Sequence, residues 1–428
     1  MRARHFELGS RDPGEVRALA EAVRALTEQP ADVTQRVAEI LREVREGGDE
    51  AVLELTRRFD SEAAPEDFRV TPDQLQAALE GLDPAVRAGL ETAIANVGRL
   101  AAAEPRGDVT VAMPQGQTIE IRELAVRRAG VYVPGGRAAY PSSVVMCCVP
   151  ARTAGVEQVA VATPPGPDGR ASPVILAACA LCGVKEVYLI GGGQAIAALA
   201  YGTAMVAPVD VIVGPGNAYV QEAKRQVSGL VGIDGIAGPS EVIVIADADA
   251  DARTVALDLA AQAEHGPDSL VGILSPSTEL IERVSVQAAS LVGSRPSVQD
   301  APLALVRVPD LDAAIDVANA LAPEHLELSV DNAEDLARSV RASGCVFLGR
   351  AGGAAFGDYA AGSNHVLPTG GAARFSGPLG AGNFRRRQAL VSLPEEAARA
   401  LAPHVASVAR AEGFPVHAES AEARADGP

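Results

Sequence analysis

The chain has no tryptophan, and aromatic residues make up only 3% of it. A protein that grips single-stranded nucleic acid by stacking bases needs more than that. Basic residues are also outnumbered: 37 Lys and Arg stand against 55 Asp and Glu, a formal net charge of −18. This balance gives no broad attraction for nucleic acid or an anionic membrane, so neither is expected as a partner. No uninterrupted apolar run reaches the length that spans a bilayer. The start, Met1-Arg-Ala-Arg-His-Phe-Glu7, lacks the apolar stretch of a secretory signal, and a soluble cytoplasmic protein is the simplest expectation. Only five cysteines occur, and their odd number suits reduced thiols. Cys179-Ala-Leu-Cys182 has CxxC spacing, but it falls in an apolar helical run with no second pair. It reads as buried core, as does Cys147-Cys148.

What is present is a chain of 428 residues, 48% of them hydrophobic, which is too much for one ordinary core. Helical spacing of apolar residues runs over 15–26 and 32–59, interrupted at Gly47-Gly48, and again over 71–103, where Thr71-Pro72 opens a helix. The period then changes. Residues 110–113 and 118–122 alternate around Pro114-Gln-Gly116 and predict a hairpin. From 128 to 239, strands alternate with helices, and each strand runs into glycines. A second set follows from 241 to 349. The pattern predicts an α/β protein of two Rossmann-like, doubly wound lobes with N-terminal helices and an extended C-terminal helical tail. The best linker candidate is 235–239. Residues 351–382 read as ordered glycine-rich loop, a last helix as 394–412, and 421–428 as frayed.

Three strand ends are expected to face one crevice: Val131-Tyr132, Gly191-Gly-Gly-Gln194 and Gly214-Pro-Gly-Asn217. Ligands of open parallel sheets bind at the carboxyl ends of strands, and the helix N-termini that follow favour phosphate. Neither glycine turn is the standard GxGxxG fingerprint, so a nucleotide crevice and plain strand-to-helix turn chemistry both stay open here.

Histidine is scarce, with six in the chain. Gln262 and His265 sit three apart near Pro267. If 257–265 is helical, both lie on one face at a helix end, and two metal ligands or an ordinary surface helix end would both fit. Glu324-His325 after Pro323 offers adjacent acid–base groups of different pKa, suited to repeated proton transfer, or else an ordinary helix start. Asp358 could add a carboxylate ligand, and His365 or His417 a fourth. His5 and His404 read as surface residues.

Taken in order, these segments resemble the histidinol dehydrogenase family nearly end to end. The resemblance rests on Gly130-Val-Tyr-Val-Pro-Gly-Gly136, Gly191-Gly-Gly-Gln-Ala-Ile-Ala-Ala-Leu199, Gly214-Pro-Gly-Asn217, Gly238-Pro-Ser-Glu-Val242, Gln262-Ala-Glu-His265, Pro323-Glu-His-Leu-Glu327, Gly357-Asp-Tyr-Ala-Ala-Gly-Ser-Asn-His-Val-Leu-Pro-Thr369 and Glu412-Gly-Phe-Pro-Val-His417. It implies that one Zn2+ per subunit is held by Gln262, His265, Asp358 and His417, the last from a partner subunit, so that a homodimer shares its active sites. Glu324 would activate water and His325 would shuttle protons. Ser240, His365 and Glu412 would contact L-histidinol together with His325 and the metal ligands. Tyr132, Gln194 and Asn217 would bind NAD. The implied reaction takes L-histidinol through L-histidinal to L-histidine with two NAD+. The implied division is an N-terminal arm and helix over 1–23, one α/β domain from 24–131 and 240–380, an NAD-binding domain over 132–239, and a swapped tail over 381–428. The chain departs from the family at Gly266, where Asp is frequent, and at the cysteine-rich Met146-Cys-Cys148. Two other readings compete. A relative that oxidises another small alcohol, such as a sulfonated diol, would keep the zinc and NAD features. A two-lobed solute-binding protein would have no use for Glu324-His325.

Overall fold

The computed structural model describes residues 1–27, 33–105, 107–135 and 138–425. The start of the predicted helix at Asp32, the end of the Gly-Gly turn at Gly136-Arg137, and residues 426–428 lie outside them. The chain opens with β1 (Arg2–Glu7), followed by α1 (Pro13–Arg24), α2 (Thr34–Phe59), α3 (Pro72–Glu80) and α4 (Pro84–Ala103). Gly48 breaks α2 with φ 58°, a conformation that costs other residues strain. Thr71 and Gln74 close a reciprocal capping box on α3. Next come β2 (Val109–Ala112) and β3 (Thr118–Ala125), then β4 (Arg128–Tyr132), α5 (Pro141–Ala154), β5 (Gln158–Thr163), α6 (Pro173–Leu181), β6 (Glu186–Leu189), α7 (Gly192–Tyr201), β7 (Val211–Val213), α8 (Ala218–Val227) and β8 (Gly232–Ile233). The second alternating set is β9 (Glu241–Ala246), α9 (Ala252–Ala263), β10 (Leu270–Ser275), α10 (Thr278–Ser294), β11 (Pro302–Arg307), α11 (Leu311–Leu321), β12 (His325–Ser329), α12 (Ala333–Ala337), β13 (Cys345–Leu348) and α13 (Ala354–Tyr359). The chain ends with β14 (Arg385–Ser392), α14 (Glu395–Ala411) and α15 (Pro415–Ala425).

Two parallel sheets carry the α/β architecture that the alternation predicts. Their orders are β6-β5-β4-β7-β8 and β1-β11-β10-β9-β12-β13. In each, the chain lays strands to one side of a starting strand and then crosses to the other. That puts topological switch points between β4 and β7 and between β9 and β12. Strand β9 shows why these strands read as continuous apolar runs. Ile243 and Ile245 face the core that includes Val16 and Leu19 of α1, and Val242 and Val244 face Val255 and Leu259 of α9. Both faces are covered, so every position after Glu241 is apolar. Among the described residues no helix is long and apolar enough to cross a membrane.

The chain divides into two compact units, 1–103 with 127–383, and 104–126 with 384–428. The second contains the antiparallel sheet β14-β3-β2 and the hairpin of α14 and α15.

Several boundaries differ from the sequence expectation. The first residues of the arm form a strand: β1 pairs in parallel with β11, and its sequence hid this because it is an outer edge with most side chains in water. The predicted hairpin gains a third strand, β14, whose charged Arg385-Arg-Arg387 start conceals it. Residues 421–425 are helical rather than frayed. The stretch 351–382 is not all loop, since it contains α13. Helix α9 stops at Ala263, so His265 stands in the turn beyond it, its N–H 3.2 Å from the Gln262 carbonyl.

Candidate active site

Glu324 and His325 stand where β12 begins, not at a helix start. His325 pairs with Val242 of β9, so this end of the switch point joins Glu324, His325 and Glu241. The location is the amino end of the strands, opposite to the usual crevice of such sheets. Three hydrogen bonds hold the group. The Glu241 N–H donates to Glu324 Oε2 at 2.7 Å, the Glu324 N–H donates to Glu241 Oε2 at 3.3 Å, and His325 Nδ1 lies 3.1 Å from the Glu241 carbonyl oxygen. A carbonyl accepts only, so Nδ1 carries a proton and Nε2 is the ring atom left to exchange one. Nε2 points at Asp358, 3.5 Å from Oδ1, and Phe347 stacks on the ring at 6.0 Å. Burial alone would lower the His325 pKa. The Glu324 charge and the bonds to Asp358 and Glu324 outweigh it and hold the imidazole well above its ordinary value.

Glu241 is itself 3% exposed and is anchored from behind. Arg24 Nη1 reaches it at 2.6 Å, and the Gly370 N–H donates to it at 3.0 Å. Burial raises its pKa and Arg24 opposes that rise. Glu241→Ala is expected to destabilise the fold by about 3 kcal/mol, because it strips Arg24 of its carboxylate partner and leaves the buried Glu324 N–H and the Gly370 N–H facing a methyl. Urea unfolding measures this, and a loss below about 1 kcal/mol would show that Arg24 finds another partner.

Around His325 the structure brings together several of the sequence-predicted residues. Asp358, near the end of α13, is influenced by three imidazoles. Burial raises its pKa, but the bond to His325 and the charges of His325, His365 and His265 bring it below the ordinary carboxylate value. His365 Nδ1 is 2.9 Å from the Asp358 carbonyl oxygen and its Nε2 is 3.3 Å from the Ser143 hydroxyl, and burial lowers its pKa. Gln262 is 2% exposed, and its Nε2 is buried with no hydrogen-bond partner. A 180° amide rotation exchanges nitrogen for oxygen, so this side chain presents an oxygen donor with no protein bond to break. An amide oxygen, an imidazole such as His265 and a carboxylate such as Asp358 are each donors that zinc accepts. Among the described residues no three His, Cys, Asp or Glu side chains converge as a metal cage. Gln262 is outside those types, and the expected fourth ligand, His417, belongs to the second unit. There His417 and Glu412 are both exposed, with Phe414 5.5 Å from the His417 ring. Ser240, just before β9, is partly exposed.

In the smaller parallel sheet the three strand ends are also organised. The Tyr132 hydroxyl accepts from the Gly192 N–H at 3.2 Å, and Asp60 accepts from the Gly191 N–H at 3.2 Å and from Gln194 Nε2 at 2.9 Å. Burial raises Asp60 to about 6. Tyr132 and Gln194 are buried, and in this conformation their polar ends are spent on protein. Asn217 is exposed and caps α8 by accepting from the Tyr219 and Val220 N–H groups. Gly214 has φ 116°, and a Cβ there would collide with the Tyr132 carbonyl oxygen. Its N–H is held by Asp234 at 2.8 Å and its carbonyl by Lys224 at 3.1 Å, while those two buried side chains pair with each other. The backbone groups at Gly191, Gly192 and Gly214 are therefore already bonded, unlike those of an open phosphate loop. The cysteines Cys147, Cys148, Cys179 and Cys182 are buried and free, and burial pushes all four thiols up. His5 and His404 are exposed.

Sequence reasoning missed Glu241, Arg24, Asp60, Asp258 and Glu327 as parts of this region. A signal existed for two of them: Glu241 and Glu327 are carboxylates within strands that otherwise read as fully buried, and such charges need partners.

Two parallel sheets with switch points, one carrying a buried glutamate–histidine pair, define an α/β protein with a candidate acid–base site, and the family it matches makes it an NAD-dependent oxidoreductase. Residues 24–425 match the histidinol dehydrogenase family model, and the chain belongs to that family. It is 44% identical over 393 residues to the histidinol dehydrogenase of Nitrosomonas europaea, covering 90% of this chain and 91% of that one. With that of Bordetella parapertussis it shares 44% identity over 430 residues, 98% of this chain and 97% of that one. The crystal structure of histidinol dehydrogenase from Elizabethkingia anophelis superposes with a TM-score of 0.90 at 29% identity, over 99% of this chain and 98% of that one.

Proposed function

We propose that the enzyme oxidises L-histidinol through L-histidinal to L-histidine, passing one hydride to each of two NAD+ in turn. The observation that carries this reading is the His325 ring, locked at Nδ1 by the Glu241 carbonyl with Nε2 turned towards Asp358. His325 takes the hydroxyl proton of the alcohol, and its flanking carboxylates stabilise the imidazolium that forms. Glu324, fixed by the Glu241 N–H, takes a proton from the water that adds to the aldehyde. The first step releases NADH and a proton. The second consumes water and releases NADH, the carboxylate product and two protons. His365 and Ser240 contact the substrate's polar end, with Glu412 of the partner subunit.

Gln262, His265 and Asp358, with His417 of the partner subunit, would hold one Zn2+ per subunit. The orphaned Gln262 amide and the donor chemistry fit it. When bound, the ion supplies Lewis acidity and orients the substrate. NAD lies along the crevice of Tyr132, Gln194 and Asn217, in the domain of residues 132–239. Residues 24–131 and 240–380 form the catalytic domain, preceded by the arm 1–23. The tail, 381–428, crosses to the second copy of a homodimer. That reading is supported by exposed apolar residues in both units: Val408, Phe414 and Val416 in the tail's unit, Phe356 and Tyr359 on α13 in the other. A cytoplasmic location without nucleic acid or membrane partners suits the acidic balance of the chain.

Two NADH are expected for each histidine formed, measured by absorbance against product quantified by chromatography. A ratio of one, or turnover of a sulfonated diol in preference to histidinol, would overturn the reading.

A further inference from the structure

Beside the catalytic pair lies a second acid pair that the chemistry above does not use. Asp258 sits on α9, one turn before Gln262. Glu327 sits on β12, two residues after His325 and so on the same face of the strand. Their carboxyl groups lie within hydrogen-bonding reach of each other, both beside Gly353. Glu327 is 1% exposed, and its Oε1 also accepts from the Ala354 N–H at 2.7 Å. Ala354 is the first residue of α13, one turn before Asp358. Gly353 closes the space: a Cβ there would stand 3.3 Å from Asp258 Oδ1 and 3.8 Å from Glu327 Oε1.

An ionised carboxylate only accepts, so two of them in hydrogen-bond contact need a proton between them. We propose that Asp258 and Glu327 share a single proton, and that this acid–carboxylate pair is the joint fixing α9, β12 and α13 so that Gln262, His325 and Asp358 converge. The proposal deepens the ligand assignment made above and rests on it. Asp258 and Glu327 are positioning residues, since neither is placed on substrate.

The electrostatics agree with the geometry. Burial and then the Asp258 charge raise Glu327 to about 8, and burial raises Asp258 to about 6 against the pull of the Glu327 bond. The groups facing Glu327 are Asp258 from α9, the Ala354 N–H from α13, and the His325 charge from its own strand, which lowers it. A raised carboxyl contributes its stability fully below the ordinary carboxyl range and loses it as pH rises through the folded value. The joint is therefore intact below neutrality and weakens through about pH 8.

The test compares the full-length protein with D258N, E327Q, D258A and E327A. Infrared difference spectra of the wild type at neutral pH are expected to contain a protonated carboxyl band. Both amide variants lose that band, because an amide donor replaces the shared proton. It also fades in the wild type as pH rises through about 8. The amide variants hold zinc within a few-fold of the wild type, whereas the alanine variants weaken it by about 10–100-fold. A wild-type spectrum whose acid band survives in D258N would overturn the proposal, as would alanine variants that hold zinc like the wild type. If the alanine variants fail to fold, the infrared comparison of the amide variants decides alone. A wild type that binds no zinc would sink the ligand assignment, while the spectra still judge the shared proton.

Discussion

His325→Ala is expected to cut turnover about 10²–10⁴-fold, the usual worth of a positioned general acid–base group, with zinc content unchanged. The ring's Nδ1 is committed to the Glu241 carbonyl oxygen, so the side chain works through Nε2 alone. That nitrogen is 3.5 Å from Asp358 Oδ1, where it faces the proposed ligand set without belonging to it. Deleting the ring removes the proton acceptor and leaves Gln262, His265 and Asp358 in place. The contrast is His265→Ala, which removes a ligand and is expected to lose metal and turnover together. Metal analysis alongside steady-state rates separates the two. Zinc loss in His325→Ala would show that base and ligand have been exchanged in this reading.

How much of this was legible beforehand follows from where each residue gets its environment. The alternation of strands and helices, the N-cap at Thr71 and the break at Gly48 are local properties, and the structure reproduces them. The strand ends at Tyr132, Gln194 and Asn217 were legible because glycine marks turns wherever it occurs. Pro323-Glu-His325 was ambiguous because proline and glutamate also open helices. The residues settle as a strand because Leu326 and Leu328 are claimed by the core against α1 and α11. Edge strands β1 and β14 were invisible, since an exposed edge carries no apolar alternation. Glu241 was hidden for a different reason. Its role depends on Arg24, distant in sequence, and on strand pairing that sets Val242 beside His325. Long-range partners of a buried charge are not written into its own neighbourhood. The same holds for Asp258 and Glu327, which look like a surface helix acid and a strand acid until α13 closes over them.

The site also explains why its location is unusual for the fold. At the carboxyl ends of β6 and β7, the backbone groups of Gly191, Gly192 and Gly214 are already bonded to Asp60, Tyr132, Asp234 and Lys224. At the amino ends of β9 and β12 stand acid–base side chains instead: Glu241, Glu324 and the buried His325, whose Nε2 faces Asp358. Proton transfer needs side chains of this kind, so the proposed chemistry is assigned to that end.

Mixing two inactive variants is expected to restore activity if the donor set is completed by a second copy's tail. In His417→Ala the tail is defective and the catalytic pair intact. In His325→Ala the reverse holds. A heterodimer of the two pairs the intact body of one chain with the intact tail of the other, giving one complete site and one doubly defective site. Random reassortment makes half the dimers mixed, each with one working site of two, so turnover recovers to about a quarter of the wild-type value. The physical case for the exchange is the exposure of His417 and Glu412 beside Phe414 and Val416, a polar pair on an apolar face that water alone does not suit. The variants are mixed under conditions that dissociate and reassociate the dimer, then assayed against each alone. Recovery indistinguishable from the sum of the two parents would place His417 within its own subunit's site, and would remove the need for a swapped tail.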